Sequence, residues 1–234
     1  MDIQELLKNP PQSYTNSSGN FQEVKLSDDI LYFLDEQVTE NSKTLETGAG
    51  CSTILFAIKS SHHTCIVPKQ QEVNRIKDYC HKHNISTEKI DFKVDGSQNV
   101  LPYLNTDDLD CILIDGSHAF PIPFIDWQYT HKNLKVGGKL IIDDTQIWTG
   151  EVLKKFLISE PEWKFQKEST PRTAIFTKVK QCTKDKWFGE QVYTVKNSRI
   201  PIWFAKIKTA IRLFSTGDFP TLASKVIKLF RPSV

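Results

Sequence analysis

The sequence predicts an α/β protein with a doubly wound, mostly parallel sheet flanked by helices, and three observations lead to this class. From Lys43 onward, short strand-like runs alternate with segments of helical spacing, which is typical of βαβ units. The runs "CILI" and "KLII" lack polar alternation, as central strands covered on both faces require. The strand "KTLET" leads through "GAG" into a helix, a turn found where such sheets bind ligands.

The elements follow one another in a regular order. Strands are predicted at "KTLET", "HHTCIVP", "KIDFKVD", "LDCILIDGSH" and "GGKLIIDD", and helices at "CSTILFAIKS", "QQEVNRIKDYCHKHN", "FIDWQYTHKNL" and "GEVLKKFLIS". Pro171 separates "EWKFQKES" from "TAIFTKVK", which predicts an antiparallel hairpin at 162–179. Before the sheet, "SDDILYFLDEQVTE" places its apolar residues on one helical face, with Ser27 as the N-cap.

Composition limits the classes of protein. A chain of 234 residues with 39% hydrophobic and 25% charged residues can build its own core. The net charge of +2 gives no general reason to expect nucleic acid. The five cysteines form no CxxC pair, so we expect buried thiols rather than a zinc or redox site. The N-terminus lacks the pattern of a secretory signal, and no apolar run approaches the roughly 18 residues of a membrane span. We therefore expect a cytoplasmic protein.

Three segments are predicted: an N-terminal helical extension (1–40), the α/β domain (41–180) and a basic C-terminal extension (181–234). From Lys196 to Val234 there are eight basic residues against one acid, a net charge of +7. The run "IPIWFAKIKTAIRLF" predicts an amphipathic basic helix. Three roles stay open for it: packing on its own domain, a homodimer contact, or contact with an anionic membrane surface.

The turn "ETGAG" departs from the dinucleotide-binding pattern. In the frame G-x-G-x-x-G, Thr53 stands where the third glycine belongs. Glu46 lies two residues before the first glycine, where a carboxylate repels a pyrophosphate and attracts a cation such as S-adenosylmethionine. The alternative is a tight turn with Ser52 as a helix N-cap.

Acidic residues follow two strands that we expect to be neighbours. Asp115 ends "CILID", with His118 three residues on, and Asp143 and Asp144 end "KLIIDD". Neighbouring parallel strands lie about 4.8 Å apart. Carboxylates at such a short distance repel each other, so they favour binding of a hard cation such as Mg²⁺. The metal would lower the pKa of a bound hydroxyl, and His118 would serve as general base. Otherwise each Asp caps a helix and His118 is an ordinary loop histidine.

The series "LETGAG", "KVDGSQNVLP", "LDCILIDGSHAF" and "LKVGGKLIIDDT" resembles class I S-adenosylmethionine-dependent methyltransferases over roughly residues 40–180. It is most similar to the branch of small-molecule O-methyltransferases that contains the catechol and macrocin enzymes. The resemblance implies a Rossmann-like sheet of seven strands, with the last strand antiparallel.

The resemblance also implies site residues. Its implied cofactor is S-adenosylmethionine, with Mg²⁺ as the metal and a hydroxyl of a small molecule as the acceptor. No nucleic acid is expected as partner, given the net charge of +2. The implied cofactor-binding residues are Glu46, Gly48, Gly50, Ser52, Asp95, Ser97 and Asp115. The implied metal ligands are Asp115, Asp143 and Asp144, and the implied catalytic residues are His118 and Asp115.

One position departs from the family. An acid that binds the ribose hydroxyls usually ends the second strand, where this chain has Val67-Pro68-Lys69. Glu72 is the nearest acid, and Gln70 or Gln71 are the alternatives. Two rival hypotheses remain: a non-catalytic binding protein of this fold, favoured by the missing acid, and a nicotinamide oxidoreductase, disfavoured by Thr53.

Residues around these motifs have simpler predictions. His62, His63, His81 and His83 are predicted at the surface, since residues two apart on a helix do not face each other. Phe124 and Trp127 are predicted to pack a helix. Phe120 is predicted to form a wall of the acceptor pocket, and Trp148 either covers the site or packs.

Overall fold

The structure is a computed structural model that describes residues 1–11, 14–15, 21–22, 26–181 and 187–230. For residues 14–15, 21–22, 167–170 and 226–230 it describes the backbone only. The chain divides into two compact units, Met1–Asp185 and Lys186–Val234.

The first unit contains the predicted seven-stranded sheet. Its strands are β3 (Lys43–Thr47), β4 (His62–Val67), β5 (Ile90–Val94), β6 (Leu109–Ile114), β7 (Leu134–Ile142), β8 (Trp163–Thr170) and β9 (Thr173–Lys178), and a separate antiparallel pair is formed by β1 (Tyr14–Thr15) and β2 (Phe21–Gln22). The order in the sheet is β5-β4-β3-β6-β7-β9-β8. Within it, β9 runs against both neighbours and the other strands run parallel. The prediction of a mostly parallel sheet with one antiparallel strand is therefore confirmed.

Helices cover both faces of this sheet. They are α1 (Ile3–Lys8), α2 (Asp28–Gln37), α3 (Cys51–Lys59), α4 (Gln70–Lys82), α5 (Ser97–Val100), α6 (Ile122–Thr130) and α7 (Trp148–Ser159). Successive strand residues point to opposite faces. Leu113 therefore packs with Ile54 and the other buried residues of α1 to α4, whereas Ile112 packs with Leu153 of α7 and with Phe124 of α6. This alternation makes the sheet doubly wound.

Local predictions had mixed outcomes. Ser27 is the N-cap residue of α2, as predicted, but its side chain makes no capping bond and its buried hydroxyl has no partner among the described residues. The described cysteines are buried and free, as predicted: Cys51, Cys65, Cys80 and Cys111. Cys182 lies outside the described residues.

The second unit is helical. A short 3₁₀ turn (Phe188–Glu190) precedes α8 (Val192–Ser215) and α9 (Phe219–Phe230). Gly217, with φ of +71°, lies in the turn between these helices, where the left-handed region favours glycine. The rings of Phe214 and Phe219 meet edge to face at 5.7 Å between centroids. The predicted amphipathic helix is thus present as part of α8.

Candidate functional site

A cavity of about 440 Å³ lies at the carboxyl ends of the central strands, where doubly wound sheets bind ligands. Its lining residues are Leu26, Thr47, Gly48, Ala49, Gly50, Cys51, Ser52, Ile66, Pro68, Glu72, Asp95, Gly96, Ser97, Gln98, Asp115, Gly116, Ser117, His118, Asp143, Asp144 and Arg172. Every site residue implied by the resemblance lines this cavity except Glu46.

The glycine turn forms one wall of the cavity. Gly48 has φ of +97°, and its amide donates a hydrogen bond of 2.9 Å to the carbonyl of Ile66. A Cβ built on Gly48 would lie 2.3 Å from the carbonyl oxygen of Asp115. The turn therefore needs glycine here for both conformation and space, and it brings the end of β3 against the end of β6.

Glu46 lies beneath this turn instead of in the cavity, with 1% of its surface exposed. The Ser52 hydroxyl donates to its Oε2 at 2.6 Å, and the Thr53 hydroxyl donates to its Oε1. The Thr53 hydroxyl also accepts a hydrogen bond of 2.9 Å from the amide of Gly50. Thr53 thus connects the turn to the acid, a function that glycine could not perform. Helix α3 begins at Cys51 with Gly50 as its N-cap residue, so Ser52 is not the N-cap.

His63 completes this network, and the prediction that it lies at the surface is wrong. It is fully buried, with Nε2 3.1 Å from Glu46 Oε1 and Nδ1 2.8 Å from the hydroxyl of Thr44. Residues 63–67 of β4 are all buried, because helices cover both faces of the sheet, and only His62, at the start of the strand, is exposed. A parallel strand covered on both faces buries its successive residues, so a histidine inside β4 had to be buried, and this was the signal that sequence reasoning missed.

Glu46, His63 and Cys65 also place one ligand atom each within 4.8 Å of one another. However, both Glu46 oxygens and both His63 nitrogens already have partners. Burial, followed by the charge of Glu46, raises the pKa of the Cys65 thiol well above its usual value, whereas a metal ligand must be a thiolate. These residues fit a hydrogen-bonded network that holds the turn better than they fit a metal.

Asp115 and Asp143 end neighbouring strands, as predicted, because Ile114 pairs with Ile142. The pKa of Asp115 is raised well above its usual value, first by burial and then by the negative charges of Asp143 and Glu46. Burial also raises the pKa of Asp143, although a hydrogen bond from Thr173 opposes the shift. The site is therefore a place where added positive charge is stabilising.

Two basic side chains face this cluster, and the guanidinium of Arg172 supplies part of that charge. Arg172, in the turn between β8 and β9, places Nη2 2.9 Å from Asp144 Oδ1 and 3.5 Å from Asp143 Oδ2. His118 places Nε2 3.1 Å from Asp144 Oδ2. Sequence reasoning did not identify Arg172, because it follows a hairpin proline 28 residues after Asp144.

The aspartates do not form an open set of metal ligands. Asp143 Oδ1 accepts from Thr173 and Oδ2 faces Arg172. Asp144 Oδ1 accepts from Arg172 and from Gln146, and Oδ2 faces His118. All four oxygens of Asp143 and Asp144 are thus engaged by protein groups, so the residues as arranged do not fit Mg²⁺, which needs several free oxygens. The metal assignment of Asp115, Asp143 and Asp144 stays a prediction.

The far end of the cavity is formed by the turn after β5. Asp95 Oδ1 accepts hydrogen bonds from the amide of Gly96 at 2.7 Å and from the side chain of Asn99 at 3.0 Å. These bonds, the one from Asn99 first, lower the pKa of Asp95. The exposed carboxylate therefore stays ionised, and Oδ2 has no hydrogen-bond partner among the described residues.

Asp126 of α6 lies behind the cavity wall and contacts Thr47, a lining residue. Sequence reasoning did not identify it. It is fully buried, and its Oδ2 accepts a hydrogen bond of 2.9 Å from the Thr47 hydroxyl. Its Oδ1 has no partner among the described residues. Burial raises the pKa of Asp126 to about 6, and the hydroxyls of Ser97 and Thr47 only partly offset this shift.

Asp126→Asn is expected to stabilise the protein at neutral pH. Because the folded-state pKa is raised, ionising Asp126 costs stability as pH rises from about 4 to 6, and the loss is complete above that range. An asparagine does not ionise, so the variant should be more stable by about 2 kcal/mol at pH 7.5. Urea unfolding of both proteins at pH 7.5 and pH 4.5 tests this. An advantage of equal size at both pH values would contradict the assignment.

The end of β4 is where the sequence departs from the family. Val67-Pro68-Lys69 offers no acid, but Glu72, in the first turn of α4, lines the cavity together with Pro68. Gln70 and Gln71 are not among the described residues that line it. Burial raises the pKa of Glu72, and the charges of Lys69 and Arg75 oppose this shift.

A family model described as a methyltransferase domain matches residues 45–145, from β3 to the residues just after β7. No curated protein matches the chain. Residues 45–145 are therefore similar to a methyltransferase domain, and the sheet that contains them has a Rossmann-like fold.

Solved structures share this fold at low identity. The O-methyltransferase TomG from Streptomyces achromogenes, in complex with SAM, has 12% identity and a TM-score of 0.58 over 68% of this chain and 84% of its own. A protein assigned as a caffeoyl-CoA O-methyltransferase from Staphylococcus aureus has 17% identity and a TM-score of 0.56, over 76% and 92%. A rRNA methylase from Streptococcus thermophilus has 16% identity and a TM-score of 0.52, over 67% and 100%.

Proposed function

We propose that this protein transfers a methyl group from S-adenosylmethionine to a hydroxyl of a small molecule, such as a sugar or a natural-product precursor. The observation that supports this most is the cavity itself. It combines a glycine turn, an ionised Asp95 and Asp115, whose surroundings favour an added positive charge. These groups lie at the strand ends of a methyltransferase-type domain.

The lining residues suit the parts of this cofactor. The backbone of Gly48 to Gly50 allows close approach. Asp115 favours a positive charge beside it, because burial and then the charges of the neighbouring acids raise its pKa. Asp95 and Ser97 would receive the adenine end. When bound, S-adenosylmethionine supplies an electrophilic methyl group on its sulfonium.

His118 is the proposed general base. Its Nε2 faces Asp144 Oδ2, and this carboxylate favours the tautomer that carries the proton on Nε2. Nδ1 then keeps the lone pair that a base needs. The Thr149 hydroxyl donates to the backbone carbonyl of His118 at 2.5 Å and holds the loop. His118 would take the proton of the acceptor hydroxyl as the oxygen attacks the methyl group.

We propose that this chemistry proceeds without a metal, in contrast to the Mg²⁺ assistance implied by the resemblance. Arg172 lies where a cation would otherwise offset Asp143 and Asp144. No step above needs a metal-bound oxygen, because His118 removes the proton.

The acceptor would lie beside an aromatic wall. Phe120 and Trp148 are both largely exposed, and their ring centroids lie 6.0 Å apart. They follow His118 and Asp144, respectively, by two and four residues. This wall favours an acceptor with a flat or apolar face, since such faces stack on aromatic rings. Phe124 and Trp127 pack into the core instead, as predicted.

Glu72→Gln is expected to weaken binding of S-adenosylmethionine roughly tenfold. The proposed reason is that the Glu72 carboxylate accepts hydrogen bonds from the ribose in place of the missing acid. Gln71→Ala is the control, because Gln71 does not line the cavity. Calorimetry of both variants measures the effect. Weaker binding in Gln71→Ala with unchanged binding in Glu72→Gln would place the ribose elsewhere.

The proposal as a whole is tested by calorimetric titration with S-adenosylmethionine and with S-adenosylhomocysteine, each with Mg²⁺ and with a chelator. Micromolar binding that the chelator does not change is the expected result. Absence of binding under both conditions would favour the second candidate, a non-catalytic binding protein of this fold, which Val67-Pro68-Lys69 at the end of β4 supports.

A further inference from the structure

Helix α8 carries a continuous apolar stripe. Residues advance about 100° each around a helix, so Ile200, Trp203, Ile207, Ile211 and Phe214 fall within about a quarter of its circumference. Ile200, Trp203, Ile211 and Phe214 each expose 58–67% of their surface. Exposing apolar side chains on this scale is costly in water. This indicates that a binding partner covers the apolar stripe when the protein functions.

Basic residues flank the apolar stripe on both sides. Helix α8 contains five Lys or Arg residues and no Asp or Glu. By the same rotation, Arg199 and Lys206 lie along one edge and Lys208 lies beyond the other. Arg212 lies nearly opposite the apolar stripe, and Lys196 lies in line with it, one turn before its first residue. An apolar stripe with basic margins on a helix that cannot span a bilayer is typical of helices that lie in a membrane interface.

We propose that α8 lies in the surface of an anionic lipid bilayer, with the apolar stripe among the acyl chains and its basic margins at the headgroups. None of the described helices is long and apolar enough to cross a membrane. A long aromatic-rich helix with five positive charges suits this shallow position, since each Lys or Arg near an anionic surface adds about 1 kcal/mol.

Two other occupants fit less well. A second copy of α8 would bring basic margins against each other with no acid on the helix to pair with them. RNA would satisfy the Lys and Arg residues and could stack on Trp203 and Phe214, but it would leave the aliphatic side chains of Ile200 and Ile211 without an apolar partner.

The test is sedimentation of the full chain with vesicles of phosphatidylcholine alone and of phosphatidylcholine with phosphatidylglycerol. The expected result is binding to the anionic vesicles that exceeds binding to the neutral vesicles by at least about tenfold and weakens at high salt. Equal partition into the two kinds of vesicle, or none into either, would overturn the proposal.

A matched pair of variants tests whether the apolar stripe itself contacts the bilayer. Ile200→Asn removes a residue of the apolar stripe, whereas Ile202→Asn makes the same change on another side of the helix without altering charge. Ile200→Asn should weaken vesicle binding at least about tenfold and Ile202→Asn less than about twofold, with circular dichroism checking that both fold. Equal losses would refute the geometry. Dimers that Ile200→Asn dissociates, or retention of RNA, without vesicle binding would assign the surface to those partners instead.

Discussion

Gly48→Ala is expected to destabilise the first unit by about 3 kcal/mol or more and to weaken binding of S-adenosylmethionine more than tenfold. Two costs add. The residue has φ of +97°, which disfavours any side chain, and the new Cβ would lie 2.3 Å from the backbone oxygen of Asp115. Backbone atoms cannot rotate away as a side chain can, so the ends of β3 and β6 must separate. The cavity wall would then lose its shape.

Gly137→Ala is the matched control for this prediction. Gly137 has nearly the same φ, +92°, but its Cβ would meet no atom within 4 Å. It should cost roughly 1 to 2 kcal/mol from conformation alone and leave cofactor binding unchanged. Urea unfolding and calorimetry of both variants measure the two effects. Similar losses of stability in both would show that the contact with Asp115 is not what constrains the turn.

The sequence predicted the fold well because the signals for the fold are local and repeated. Alternating strand and helix patterns recur along the chain, and the apolar runs of β6 and β7 could only be central strands. The neighbouring ends of those strands followed from the sheet class, so the meeting of Asp115 and Asp143 was predictable. The glycine turn was predictable because few side chains tolerate its conformation.

The residues that the sequence did not reveal act through long-range contacts. Arg172 reaches Asp144 across 28 positions, and Asp126 reaches Thr47 across 79. Neither lies in a motif, and only the sheet order brings them to the site. Glu46 illustrates a different limit. Its position in the motif suggested a ligand contact, but strand alternation turns its side chain toward His63 and Cys65, away from the cavity.

The second large prediction concerns Arg172, because replacing it distinguishes two explanations of how the acidic cluster is neutralised: by the guanidinium or by a metal. If its guanidinium offsets Asp143 and Asp144, the thermal stability of the wild-type protein should be the same in 10 mM Mg²⁺ and in a chelator. Arg172→Met keeps the length of the side chain and removes the charge. Asp143 and Asp144 then lose the guanidinium next to Asp115, and we expect the free energy of unfolding in the chelator to fall by about 1 to 3 kcal/mol.

Magnesium should restore this stability in Arg172→Met, since Asp143 Oδ2, freed from Arg172, now offers a hard ligand beside Asp115 and Asp144. Binding at a hundredfold excess over the dissociation constant returns about 2.7 kcal/mol. The double variant Arg172→Met/Asp143→Asn should lose the response to Mg²⁺, which ties the response to this cluster. A wild-type protein that Mg²⁺ stabilises as strongly as the variant would mean that the metal displaces Arg172. In that case the ligands implied by the resemblance hold a metal, and the arginine occupies their site only when the metal is absent.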